Sequence, residues 1–376
     1  MSFSFARMVA VFIKEFQQMM RDRLTFGMAV GVPILQLVLF GYAINTDPHG
    51  LPTALVAIDN SPLTASIVAN LQNTGYFKIV HQGTSEDAAE KLLENGTVQF
   101  LVVIPPQFTR RLVRGEKPEM LVAVDATDPA ASGTALAALS GATAQALERD
   151  LAGPLRALNP GAAPYDVIVH RRYNPEGLSR YNIVPGLIGT ILTMTMVMLT
   201  SLAMTRERER GTMENLLATP VLPAEVMAGK ILPYVVMGYI QLGVIIGAAW
   251  LLFQVPMVGN FALLMAMIGV FIVANLGVGF TFSTLARNQL QAMQMTFFFF
   301  LPSMLLSGFM FPFRGMPEWA QWIGEVLPLT HFLRIVRGIM LKGNTSAQLV
   351  QDLWPMLLFM LVATVVALGR YRQTLD

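Results

Sequence analysis

Between Ile231 and Ala286 the chain runs for 56 residues without one charged side chain. Four further uncharged runs accompany it: Leu24–Ile44, Tyr181–Thr205, Asn288–Phe313 and Leu353–Gly369. Crossing a hydrocarbon layer of roughly 30 Å takes about 20 apolar residues in helical form, and each run is near that length or longer. The longest is interrupted at Gln254–Asn260 by a proline, a glycine and polar side chains, so it divides into two spans joined by a tight turn. The expected fold is therefore an α-helical membrane protein with six transmembrane helices. The first run follows 23 residues with four basic and two acidic groups and lacks a small-x-small cleavage site, which marks a retained helix rather than a signal peptide.

Composition narrows the function. Charged residues make up 13% of the chain, against about 25% in soluble domains. A net charge of +2 gives no electrostatic case for nucleic acid. Without cysteine there are no disulfides or thiolate metal sites, and His49, His81, His170 and His331 show no metal-binding spacing. No metal or catalytic constellation is expected.

Residues 1–23 form an expected amphipathic interfacial helix on the cytoplasmic side, with Phe5, Val9, Phe12, Ile13, Phe16 and Met20 on one stripe. Residues 24–44 form the first span. The polar segment 45–178 alternates short strand-like and helical runs. Strands are expected near Leu55–Ile58, Lys78–His81, Phe100–Ile104, Leu121–Asp125 and Val167–Val169. Helices are expected from about Pro62 to Leu71, after Ser85, and across 130–158. This order predicts an inserted α/β domain. Residues 179–376 hold spans two to six, with a cytoplasmic loop at 206–230. Residues 314–342 contain two short amphipathic pieces, too short and too charged to span, and predict a re-entrant helical hairpin before the last span.

Basic residues set the orientation. Arg7, Lys14, Arg21, Arg23, Arg206, Arg208, Arg210, Lys230, Arg287, Arg370 and Arg372 fall on one side when both termini are cytoplasmic, which leaves 45–178 extracytoplasmic. Arg314, Arg334, Arg337 and Lys342 are exceptions, because they fall on the outer side.

Several stretches then resemble a known family. They are Val56-Ala-Ile-Asp-Asn-Ser-Pro62, Phe100-Leu-Val-Val-Ile-Pro-Pro-Gln-Phe108, Arg172-Tyr-Asn-Pro-Glu176 with Val184-Pro-Gly186, and Arg206-Glu-Arg-Glu-Arg-Gly-Thr-Met-Glu-Asn-Leu-Leu217 followed by Thr219-Pro220. Together with the span pattern, they resemble the permease subunit of an ABC-2 type transporter, in the bacterial multidrug-efflux branch with a large external domain between spans one and two. The resemblance implies a multi-pass protein of the bacterial inner membrane that exports hydrophobic or amphipathic, drug-like compounds. It implies a cytoplasmic ABC ATPase subunit that binds ATP and Mg, a second permease copy or a related permease, and membrane lipid around both. It also leaves room for a periplasmic adaptor protein.

The loop after span two has its own physical reading. Five alternating charges, Arg206 to Arg210, precede Gly211 and Thr212, which allow a break and a capped restart, and Pro220 and Pro223 end the segment. A short helix with Met213, Leu216 and Leu217 on one face suits a groove in a soluble partner. The resemblance makes it the coupling element, with Arg206, Glu207, Arg208, Glu209, Gly211, Thr212, Glu214, Leu216 and Leu217 as the ATPase-contacting residues. The alternative is a solvated loop whose charges only set topology.

No GxxxxGK[ST] stretch is present, so no cofactor is expected in this chain and ATP hydrolysis is expected elsewhere. The uncharged runs hold no ionisable group, which weighs against a self-contained secondary carrier or channel. Their neutral polar groups (Gln36, Asn182, Thr190, Thr193, Thr195, Thr200, Gln241 and Asn275) suit interhelical or back-bonded hydrogen bonds, and no substrate path is assigned. A membrane-anchored enzyme or sensor would need the external domain to act. Its Asp59, His81, Asp125 and Asp128 show no triad spacing.

Overall fold

The structure is a computed structural model that describes residues 49–145, 147, 165–209 and 223–373. The amphipathic helix expected over 1–23, the first span over 24–44 and the loop residues 210–222 lie outside the described residues.

The polar segment forms a five-stranded sheet with helices on both faces. In chain order it comprises β1 (Leu51–Ala57), α1 (Pro62–Asn73), β2 (Phe77–Gln82), α2 (Glu86–Glu94), β3 (Phe100–Ile104), α3 (Phe108–Val113), β4 (Glu119–Asp125), α4 (Pro129–Gln145) and β5 (Asp166–Arg172). The spatial order is β2-β1-β3-β4-β5, and every pairing is parallel except β3 with β4. The central strand β3 reads FLVVI and is buried throughout, as a strand covered on both faces must be. Phe100, Val102 and Ile104 face one core with Ile67, Phe108 and Leu139, whereas Leu101 and Val103 face a second core with Ala89 and Leu93.

Helix starts follow local chemistry. Ser61 and Ser85 accept backbone N–H bonds from Thr64 and Ala88, and so cap α1 and α2. The short α3 was not expected from the sequence. Gln107 precedes it in a left-handed conformation without capping it, while the Asp59 carboxylate accepts the Thr109 N–H at 2.7 Å from 50 residues away. Strand β1 begins earlier than its apolar run suggests, because Gly50 and Leu51 bond to the Gly75 and Tyr76 carbonyls.

The remaining described chain is helical: α5 (Ser179–Glu209), α6 (Pro223–Phe253), α7 (Phe261–Leu285), α8 (Gln289–Leu306), α9 (Glu318–Val326), α10 (Pro328–Arg337) and α11 (Ser346–Gln373). Among the described residues, four helices are long and apolar enough to cross a membrane: Ser179–Arg206, Pro233–Phe253, Phe261–Leu285 and Ser346–Ala367. The 56-residue uncharged stretch does divide in two, and Asn260 caps the second helix through the N–H groups of Ala262 and Leu263. Helix α8 is shorter than the uncharged run around it. It opens on Gln289, Gln291 and Gln294 and stops at Ser307–Gly308, where Gly308 is left-handed (φ +83°).

Helices α5 and α7 form the centre, with 61% and 56% of their apolar windows buried, against 18% for α6 and 17% for α11. The outer helices carry exposed apolar faces, including Ile240, Val244 and Leu251 on α6 and Leu358, Leu361 and Val365 on α11. Helix α10 is inserted among the long helices with Leu329, Phe332, Ile335 and Val336 buried, and Phe332 stacks on Phe271 of α7 at 3.9 Å between centroids. Helix α9 is different, for Trp319, Trp322, Ile323 and Val326 are all exposed.

Helices α5 and α7 approach closely because Gly279 has no side chain. A Cβ there would lie 2.6 Å from the Val197 carbonyl oxygen, which is backbone and has nowhere to go. Gly279→Val is expected to cost about 1–3 kcal/mol or more through overpacking. In detergent it should appear as a lower thermal midpoint and a smaller monodisperse fraction, whereas Gly243→Ala, with open space around it, should melt like wild type.

Candidate functional site

The polar chemistry of the helical region gathers at its two ends. Within the helices, the hydroxyls of Thr190, Thr193, Thr195 and Thr200 bond back to carbonyls four residues earlier. Thr195 also donates to Gln241 of α6 at 2.8 Å, and Ser201 meets Thr296 of α8 at 3.1 Å. Asn275 is buried and donates to the Phe271 carbonyl.

At one end, α5 finishes in the charged stretch. Arg206 is exposed, and Glu207 and Arg208 continue the helical backbone. Glu209 accepts the Gln289 backbone N–H at 2.8 Å and its side-chain amide at 2.5 Å. These bonds hold the Glu209 carboxyl below the usual carboxylate range. They also fasten the last turn of α5 to the first turn of α8, where backbone donors have no partner within the helix. Asn288 caps the same turn through the Gln291 N–H, and the Gln291 side chain accepts the Arg287 N–H. Of the proposed ATPase-contacting residues, Gly211, Thr212, Glu214, Leu216 and Leu217 lie outside the described residues.

At the other end, the α/β domain sits on α5, α10 and the turn after α10. Asp125, the last residue of β4, accepts Thr127 N–H and O–H on one oxygen and Lys342 Nζ at 2.5 Å on the other. The two side chains of this ion pair are only 11% and 9% exposed. The Thr127 carbonyl accepts the Asn182 amide at 3.0 Å, and the Asn182 oxygen accepts Arg337 at 2.9 Å. Arg337 donates further to the Gly308 carbonyl, and Arg314 donates to the Gly96 carbonyl at 3.1 Å. Lys342 also lies over the Tyr173 ring, and burial followed by the Asp125 charge pushes the Tyr173 phenol up, so it stays neutral.

A second network ties α9, α10 and α11 together. Arg334 reaches both oxygens of Glu325 (2.6 and 3.2 Å) and Asp352 (3.2 Å). His331 meets Asp352 at 2.9 Å and the Glu325 carbonyl at 2.8 Å. Asp59, His81, Asp125 and Asp128 do not converge: Asp59 serves α3, Asp125 serves Lys342, and His81 lies on β2. Among the described residues, no three His, Asp or Glu side chains gather to hold a metal ion. The arrangement joins a polar domain to a helical bundle through ion pairs and hydrogen bonds.

The comparisons decide the family. The model of the ABC-2 family transporter proteins matches residues 23–368. The chain belongs to that family. It is 29% identical to the probable multidrug ABC transporter permease YbhS of Escherichia coli strain K12, covering 97% of this chain and 96% of the relative. It is 25% identical to the probable multidrug ABC transporter permease YbhR of the same strain, covering 98% and 99%. The inner membrane transport permease YhhJ of that strain is 27% identical, with 96% of each chain covered. An ABC-2 family protein with four long apolar helices is a multi-pass membrane protein.

The junction is not legible in the sequence, where Asn182 is one more neutral polar residue of a span and Lys342 and Arg337 are charges without a visible partner. The available signal is that four cations, Arg314, Arg334, Arg337 and Lys342, cluster in the short segment 314–342 between uncharged runs. Each has an assigned polar contact there.

Removing Lys342 leaves the Asp125 carboxylate buried and unpaired, a loss of about 3–5 kcal/mol. Lys342→Met is therefore expected to lower the melting midpoint and speed proteolysis between the domain and the helices. Asp125→Asn combined with Lys342→Met should recover much of the loss in the same assays, because no uncompensated charge remains.

Proposed function

We propose that the protein is the membrane-spanning permease subunit of an ATP-driven exporter that moves hydrophobic or amphipathic, drug-like compounds out of the cytoplasm or the inner leaflet. The observation that carries this reading is the Glu209–Gln289 clamp. It joins α5 to α8 directly before the charged segment that resembles an ATPase-coupling element. A push delivered at 206–217 enters two helices together, as rigid-body reorientation requires. The family match and the multidrug permease names of the relatives support the same reading.

In this proposal ATP and Mg are bound by a separate cytoplasmic ATPase. Two permease copies, or this chain and a related one, enclose the pathway. Six spans, an interfacial N-terminal helix and a re-entrant α9–α10 hairpin complete the topology in the bacterial inner membrane. Both termini are cytoplasmic and residues 45–178 are extracytoplasmic. Whether an adaptor protein docks on the external domain is a further part of the proposal.

Two measurements test it. Co-purification with the candidate ATPase should give a stoichiometric complex that Glu214→Arg with Leu217→Asp abolishes without reducing membrane insertion. A folded wild type that captures no ATPase, or a variant that keeps it fully, would remove the coupling assignment. Because the chain has no cysteine, single-cysteine variants report topology directly. Gln82→Cys should react with an impermeant maleimide on intact spheroplasts, and Arg206→Cys only after permeabilisation.

A further inference from the structure

A crevice of about 650 Å³ separates the α/β domain from the α9–α10 hairpin and the start of α11. Four cations line it, and they divide into two kinds. Lys342 and Arg334 are neutralised by Asp125, Glu325 and Asp352. Among the described residues, Arg314 and Arg337 have no carboxylate within ion-pair distance, and they donate only to neutral oxygens: the Gly96 carbonyl for Arg314, the Gly308 carbonyl and the Asn182 amide oxygen for Arg337. Carboxylates act on them only from farther away, Asp128 and Asp125 on Arg337 and Glu325 and Asp125 on Arg314. The Arg337 Nε is shielded from solvent and has no hydrogen-bond partner among the described residues. A buried donor left unpaired is costly, and a guanidinium fork matches an oxyanion in both charge and shape.

The crevice also has apolar lining. Phe313, Trp354 and Pro355 line it, and Trp354 is 58% exposed. Trp319 and Trp322 of α9 are also exposed nearby in the chain, on the helix whose C-terminal Glu325 borders the crevice. Tryptophan in this setting marks the level of lipid head groups. Gln348 and Leu349 near the start of α11 line the crevice, and Asn182 near the start of α5 bonds to Thr127 and Arg337, which line it too.

We propose that this crevice binds the phosphate-bearing head of an anionic amphiphile, with Arg337 and Arg314 on the oxyanion and the acyl chain leaving past Phe313 and Trp354. Glu94 and Asp128 also line the crevice. Hydroxyl donors on the head group would face Glu94, which favours a head carrying both a phosphate and hydroxyls.

Native mass spectrometry of the purified full-length chain tests this without ATPase or nucleotide, so it can fail while the exporter reading stands, and the reverse. Phosphatidylglycerol should be retained at one copy per chain in preference to phosphatidylcholine. Arg314→Gln, an exposed position whose loss is not expected to disturb folding, should reduce its occupancy by about tenfold, the factor that loss of one charge-assisted hydrogen bond gives. Arg337→Gln should reduce it at least as much, and Arg180→Gln should leave it unchanged. If phosphatidylglycerol fills the site, the occupant is a bilayer lipid. If only dodecyl phosphate added from water does, and Arg314→Gln weakens it, the occupant is a water-borne anionic amphiphile, and the head-group site stands in either case. Equal retention of the two phospholipids together with no effect of Arg314→Gln on either probe would overturn the proposal.

Discussion

Inside a hydrocarbon layer no water is available to satisfy a polar group, and the helical half of this protein is organised around that condition. Its backbone donors are satisfied within helices. Five threonine hydroxyls of α5, including that of Thr205, bond back to the carbonyl one turn earlier, and Thr195 and Ser201 also bridge to neighbouring helices. With no hydrophobic drive between apolar helices, association depends on close packing, which explains the glycine contact between α5 and α7 and the flat Phe271–Phe332 stack. Charge is consequently confined to the helix ends. Those ends are therefore the places where the bundle can be gripped by polar partners.

The two grips differ physically. At Glu209 the contact is exposed and made of two hydrogen bonds from Gln289, one from its backbone and one from its side chain, which join α5 to α8 without burying a charge. At the junction the Asp125–Lys342 pair is shielded from solvent, so separating it leaves two desolvated charges and costs far more. The domain is thus held firmly to α5 and the hairpin, while at the opposite end α5 and α8 are joined to each other. In an exporter this asymmetry lets movement enter at one end and arrive at the other as displacement of the whole domain rather than as local loosening.

Much of the fold was legible in the sequence because its signals are one-dimensional. Uncharged length identifies apolar helices, and Asn260 with the polar residues before it marks the turn that divides the 56-residue run. Ser61 and Ser85 announce α1 and α2, and the apolar run Phe100–Ile104 announces a strand buried on both faces. What stayed hidden depends on distant partners. Helix α3 starts where it does because of Asp59, 50 residues upstream, and α8 ends short of its uncharged run because Gly308 turns the chain. The junction joins Asp125 to Lys342 and Thr127 to Asn182 across separations of 217 and 55 residues, which no local period encodes.

The four cations of segment 314–342 link these threads. They lie in a short segment between two uncharged runs, where each charge needs a local partner to be kept in place. Lys342 and Arg334 have theirs in buried or forked carboxylate contacts. Arg314 and Arg337 have only neutral oxygens, yet they lie in the same crevice, one with a hidden and unpaired Nε. For Arg337, held against desolvation with no carboxylate within ion-pair distance among the described residues, an anion that arrives from outside the chain is the partner proposed above. Placed between a domain fixed to α5 and a hairpin packed on α7, such an anion would sit where any displacement of the domain must open or close its site.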